Sequence, residues 1–183
     1  MVSTPWFFGL VGAVALQRLA ELSWSRRNER RMIARGGREH APEQMRWMTA
    51  LHTGWLIAVP LEVVLLNRST STLVSALALV TFLVGQLLRY AALTSLKERW
   101  CVRIVTVPGE RVKTGGVYSW IRHPNYLGVC LEIAALPLVH GAWFTALVFS
   151  ALNGLLLKSR IAAEEAALNA DENYTEAFGR SAA

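Results

Sequence analysis

The chain has 183 residues, 53% of them hydrophobic, with a mean hydropathy of +0.31; that balance is too apolar for an ordinary soluble domain and points to a membrane. A formal net charge of +6 and a pI near 9.9 raise nucleic acid as a partner, but no zinc-finger, helix-turn-helix or aromatic-repeat pattern accompanies the basic residues, so anionic lipid headgroups are the simpler counter-charge. GxGxxG and Walker loops are missing too, as is any alternation of strands with helices, which argues against a soluble nucleotide-binding fold.

The first apolar stretch covers residues 5–24 and carries Arg18 and Glu21 near its inner end. It lacks a basic leader and a small-residue cleavage pattern, so it is expected to stay in the mature protein. The connection over 25–46 holds seven arginines. It reads either as an amphipathic interfacial helix up to Gly36 or as a basic arm that sets topology.

Residues 47–66 and 72–96 form the second and third stretches, and each of the first three is long enough to span alone. The third leaves the apolar run through Gln86 and Arg89. Arg89 has two readings, a snorkelling cation or a group facing a protein interior.

The loop over 97–125 contains "RWCVRIVTV", whose β-branched residues suit an extended segment, then "PGE" as a turn and Gly115-Gly116 as a bend. A loop of this length in so short a chain points to binding.

Residues 126–140 and 142–157 are short for a hydrocarbon core of about 30 Å and are expected to form a tight helical hairpin. The basic residues concentrate in 25–46 and 97–125, which places both connections in the cytoplasm, the amino terminus outside and the tail inside. The expectation is an all-α integral membrane protein of about five transmembrane helices, one membrane-embedded domain over 1–183. Cys101 and Cys130 form no CxxC and are expected as free thiols, and the four histidines show no HExxH or paired cysteines that would hold a metal.

Polar residues gather in two places. In "SWIRHPNYLG" at 119–128, Pro124 suits the first turn of a helix. A helix start offers unpaired N–H groups and a positive dipole end, with Arg122, His123, Asn125 and Tyr126 as donors around it. The competing reading is an interfacial anchor built on Trp120, Arg122 and Tyr126.

In "LLLKSRIAAEEAAL", Arg160 and Glu164 are four apart, share a helix face and are placed to pair, while Glu165 points elsewhere. A solvated helix face explains the same spacing. Glu132, inside an apolar stretch, is a functional or packing candidate.

The string "GGVYSWIRHPNYLGVCLE", followed about 30 residues later by "RIAAEEAAL", resembles the isoprenylcysteine carboxyl methyltransferase family. Phospholipid N-methyltransferases share related motifs. The resemblance covers chiefly residues 85–178, and the motif region is 99–178. It implies a cytoplasmic loop and a C-terminal helix that bind S-adenosylmethionine.

By that resemblance Tyr118, His123, Pro124, Asn125 and Tyr126 contact the cofactor, with Glu164 as an acidic contact and Val112 and Lys113 of "ERVK" on a cofactor-contacting strand. Arg160 corresponds to the family's substrate-contacting arginine. Eukaryotic members carry a longer basic and aromatic tail and more spans.

"LEIAALPLVHGAW" is similar to bacterial members that methylate hydroxyls of long-chain alkylpyrones or alkylresorcinols, a likeness that implies a bacterial inner membrane as the location. The implied activity is O-methylation of a carboxylate or hydroxyl on a lipophilic or prenylated acceptor among membrane lipids, without nucleic acid or metal. A carboxylate needs no base, whereas a phenol or enol does, with His123 and Glu164 as the candidates. The alternatives are a phospholipid-amine N-methyltransferase and a non-catalytic scaffold or transporter subunit.

Overall fold

The structure is a computed structural model and describes residues 4–172; the last part of the motif region, 173–178, lies outside the described residues. Five α-helices dominate: α1 (Thr4–Ala34), α2 (Gln44–Leu65), α3 (Thr72–Leu96), α4 (Pro124–Leu138) and α5 (Trp143–Glu172). Two short strands, β1 (Arg38–His40) and β2 (Ile104–Thr106), pair antiparallel with Glu39 opposite Val105.

Local chemistry sets these boundaries. Ser71 caps α3 by accepting the Val74 N–H at 3.3 Å. Pro124 occupies the first turn of α4, as its spacing predicts. Gly141, at φ +78°, turns the chain between α4 and α5; a side chain there would meet the Ser69 carbonyl 2.6 Å from its Cβ.

The expected apolar stretches become helices of different lengths. α2, α3 with its continuation to Arg99, and α5 to Ala170 are long and apolar enough to cross a membrane. α4 is apolar but shorter. The stretch at 5–24, expected to span alone, does not reach that apolarity, because Gln17, Arg18 and Glu21 interrupt it.

The stretch at 142–157, expected to be short, continues to Glu172 and carries Arg160 and Glu164 on the same rod. Residues 25–34 are neither a separate interfacial helix nor an arm; they extend α1. Buried Asn28 explains this, since its amide donates to the Lys97 and Trp100 carbonyls at 2.9 and 2.7 Å and ties the extension to the long loop.

The core collects Phe7, Val14, Trp55, Val59, Phe82 and Ile133, all nearly inaccessible. Large apolar side chains such as Leu16, Leu73, Leu77, Leu147 and Leu155 cover the outside instead, as they do where the solvent is hydrocarbon. The fold is that of an all-α integral membrane protein.

One end of the bundle is closed. Glu62 accepts the Phe144 and Thr145 N–H groups at 3.2 and 2.6 Å, Ser75 donates to the Val139 carbonyl at 2.9 Å, and Thr4 meets His140 at 3.2 Å. At mid-height α3 and α4 approach closely through Gly85 and Gly128; a Cβ on Gly128 would fall 2.7 Å from the Gly85 oxygen. At the other end the helices part around a cavity.

Candidate functional site

The cavity has a volume of about 490 Å³. Its roof is the long loop and the ribbon, with Ile104, Val105 and Thr106 of β2 lining it. Val112, Lys113 and Tyr118 line it from the loop. His123, Pro124, Asn125 and Tyr126 enter from the start of α4, and Arg160 and Glu164 from α5. All nine residues that the family resemblance assigns to cofactor or substrate thus reach one space.

Tyr126 is the hub. Its hydroxyl donates to the Glu164 carboxylate and accepts from Arg160 Nε at 3.0 Å. Arg160 and Glu164 share a face, but they meet through this hydroxyl rather than pairing directly. The remaining fork of Arg160 donates to the Val102 carbonyl, so the loop fixes the guanidinium.

The His123 ring stacks on Tyr126 at 5.5 Å between centroids, and its Nε2 meets Glu165 Oε1 at 2.9 Å. Glu165 therefore points away from the Arg160 face, as the helical spacing requires, and orients the histidine from behind. The second carboxylate of the pair carries a role that spacing alone did not assign. Cys101, also on the cavity wall, donates to the Arg103 carbonyl at 3.0 Å, and burial pushes its thiol up to about 12. Glu39 of β1 raises the Arg103 guanidinium further above its already high value.

Beneath this mouth lies a second polar cluster. Arg89, only 6% exposed, pairs with Glu21 and, at 3.2 Å, with Glu132. Arg18 pairs with the same two carboxylates, and Gln17 bridges Glu21 and Gln86 at 3.0 and 2.8 Å. Of the two readings of Arg89, the interior one holds.

Two cations and two carboxylates neutralise one another, which is the arrangement that charges within a membrane require. Arg18, Glu21 and Arg89 also line the cavity floor, a contribution that motif reading missed. From there the space continues between α1 and α2, along Leu19, Leu22, Leu56 and Ile57, where the walls are apolar.

The structure is thus a helical bundle with an apolar exterior, holding a cavity that is polar at one end and apolar between two helices. Comparison with known proteins makes the class specific. The profile of the isoprenylcysteine carboxyl methyltransferase family matches residues 76–170, just over half of the chain. The chain belongs to this family of membrane-embedded methyltransferases.

Among its relatives, the uncharacterized protein YpbQ of Bacillus subtilis is 36% identical over 162 residues, 88% of this chain and 96% of the relative. An uncharacterized protein of Haemophilus influenzae is 31% identical over 154 residues, 83% of this chain and 88% of the relative. No solved structure matches the chain.

Proposed function

We propose that the protein is an S-adenosylmethionine-dependent O-methyltransferase whose acceptor is a carboxylate or hydroxyl on a lipophilic molecule, of the long-chain alkylpyrone, alkylresorcinol or prenylated kind. The observation that carries this reading is the continuity of one cavity from the polar mouth at His123, Asn125, Tyr126 and Glu164 to the apolar cleft between α1 and α2. A water-soluble donor and a membrane-dissolved acceptor need such a shared space. The loops that roof it belong on the cytoplasmic side, where the basic residues of 25–46 and 97–125 place them.

The residues present fit the donor. Asn125 Oδ1 is buried and has no hydrogen-bond partner among the described residues, an orphaned acceptor at the cavity wall. An amino group of the donor would satisfy it, and Glu164 would supply a negative charge beside it.

S-adenosylmethionine supplies a methyl group on a positively charged sulfur. The protein's work is alignment: the loop and the α4 start hold one reactant, the helices hold the other, and correct approach accounts for much of the acceleration. Arg160, locked by Val102 and Tyr126, holds an acceptor oxygen in its ionised form through a charge-assisted hydrogen bond.

Equilibrium binding of S-adenosylmethionine to the detergent-solubilised protein tests the reading, with His123→Ala and Glu164→Ala as folded controls. Binding by the wild type that weakens in both variants is the expected result; no binding by the folded wild type overturns it and leaves the scaffold reading. Incubation of membranes with methyl-labelled donor then separates acceptors, because label confined to headgroup amines defeats the O-methyl assignment.

A further inference from the structure

His52 of α2 is a half-buried histidine on the cavity wall that the motifs of the family profile do not reach. Its Nδ1 lies 2.8 Å from the Met48 carbonyl oxygen, one turn earlier in the same helix. A carbonyl oxygen only accepts, so Nδ1 carries a proton and, in the neutral ring, Nε2 carries the lone pair. Nε2 has no hydrogen-bond partner among the described residues. The protein thus holds an imidazole in one tautomer, with its basic nitrogen uncommitted, on the wall of the cavity.

Its height in the bundle is equally informative. Trp55 Nε1 donates to the Ile133 carbonyl at 3.2 Å and fixes the register of α2 against α4. The two helices run in the same direction, so His52 stands level with Val129 and Cys130, about 6 Å below Tyr126 at about 1.5 Å per residue.

Val129 lines the cavity with it. His52 therefore sits below the polar mouth and one turn above Leu56 of the apolar cleft, a height at which the reacting oxygen of a membrane-dissolved acceptor would face a donor held at Tyr126. Arg18 of α1, Arg89 of α3 and Arg160 of α5 are within electrostatic reach of the ring. Glu21 and Glu132 pair with the first two, and Glu164 joins the third through Tyr126.

Each of the two bases that the motifs offered already holds a side-chain hydrogen bond, His123 Nε2 with Glu165 and Glu164 Oε2 with Tyr126, whereas Nε2 of His52 holds none among the described residues. We infer that His52 Nε2 is the proton acceptor that ionises a hydroxyl acceptor for methyl transfer, an inference that rests on the methyltransferase reading above.

In that step the acceptor O–H bond breaks and its proton passes to Nε2. The oxygen's electron pair forms the O–CH3 bond while the C–S bond breaks, its pair returning to sulfur as a neutral thioether. The imidazolium afterwards releases its proton to water. Arg160 faces the same oxygen and stabilises the anion that His52 creates.

The test uses the full-length protein in detergent and two acceptors of matched chain length, a dodecyl-substituted para-nitrophenol and lauric acid. The first readout needs no methyl donor: at a pH where the free nitrophenol is largely protonated, binding to wild type raises the phenolate absorbance, and binding to His52→Gln does not. The second is turnover. His52→Gln is expected to lower kcat on the nitrophenol by about 10²–10⁴-fold, the usual worth of a positioned base, and to leave kcat on lauric acid, already ionised, within about threefold.

Equal losses on both acceptors, or a phenolate signal that survives in His52→Gln, overturn the assignment, and His52→Asn repeats the comparison if the glutamine variant fails to fold. S-adenosylmethionine binding by each variant separates the failures: binding retained with the wrong acceptor pattern removes only the role of His52, whereas a folded wild type that does not bind removes the methyltransferase reading as well.

Discussion

The closed and open ends of the bundle spend polar side chains in opposite ways. At the closed end the buried Glu62 and Ser75 finish backbones: Glu62 takes two N–H groups at the start of α5, and Ser75 takes up a carbonyl where α4 ends. At the open end polar groups finish one another across a space, as Arg160, Tyr126 and Glu164 do, and Asn125 Oδ1 on the cavity wall is left without a partner among the described residues.

A bundle gains stability from the first kind of arrangement, and ligand chemistry needs the second. The Arg18–Glu21–Arg89–Glu132 cluster sits between them and belongs to both, because it joins α1, α3 and α4 while flooring the cavity.

That division is broken most severely at the cluster. Glu132→Ala leaves Arg18 and Arg89 with one carboxylate between them at a buried site, and a loss of about 3–5 kcal/mol is expected, read as a collapse of the melting temperature in detergent. Glu132→Gln, which keeps the volume and some hydrogen bonding, recovers part of it.

Cys101 measures how dry the open end is. Burial pushes its thiol from the ordinary 9.0 up to about 12, so at pH 8 iodoacetamide should label it at least about a hundredfold more slowly than the same residue in protein unfolded in SDS. Because the folded thiol keeps its proton where the unfolded one has lost it, its contribution to stability falls as pH rises between those two values.

Glu62→Ala strips the closed end of its acceptor for Phe144 and Thr145. It should cost about 1–3 kcal/mol of stability in a denaturation series, while donor affinity in the folded protein is unchanged. Tyr126→Phe is the mirror case: about a tenfold loss in donor affinity by calorimetry, worth about 1.4 kcal/mol, with a smaller change in melting temperature. Least of all, Trp120→Ala, at a side chain 89% exposed, should move stability by no more than about 0.5 kcal/mol.

The elements legible in the sequence are those whose causes are local. Apolar runs located all five helices, Pro124 marked the start of α4, and the spacing of Arg160, Glu164 and Glu165 gave their faces correctly. What escaped depends on partners far along the chain. β1 is three residues whose strand character comes from pairing with β2, more than sixty positions away.

The length of α1 follows from Asn28 reaching the Lys97 and Trp100 carbonyls, which hydropathy cannot register. Likewise Arg18 and Glu132 are more than a hundred residues apart, and no period in the sequence joins them. In the site, the motif residues converge on one cavity, while Glu165 behind His123 and His52 on a different helix needed the fold to be seen. An intrahelical carbonyl contact such as that of His52 to Met48 leaves no mark in residue spacing.

The β1–β2 ribbon has a kinetic consequence. Residues of β2 form the roof, and β1 belongs to the connection between α1 and α2, so two connections are laced together by three residue pairs, by His40 meeting Thr106 at 2.8 Å, and by Arg103 meeting Glu39 at 2.6 Å. Neither moves alone. Gly36 and Gly109, at φ +86° and +82°, flank the laced segment. Under the function proposed above, exchange of a bulky soluble ligand beneath such a roof would require it to swing as one piece or unlace, which would make the ribbon a clock on ligand residence time, set apart from the speed of any bond-making below it.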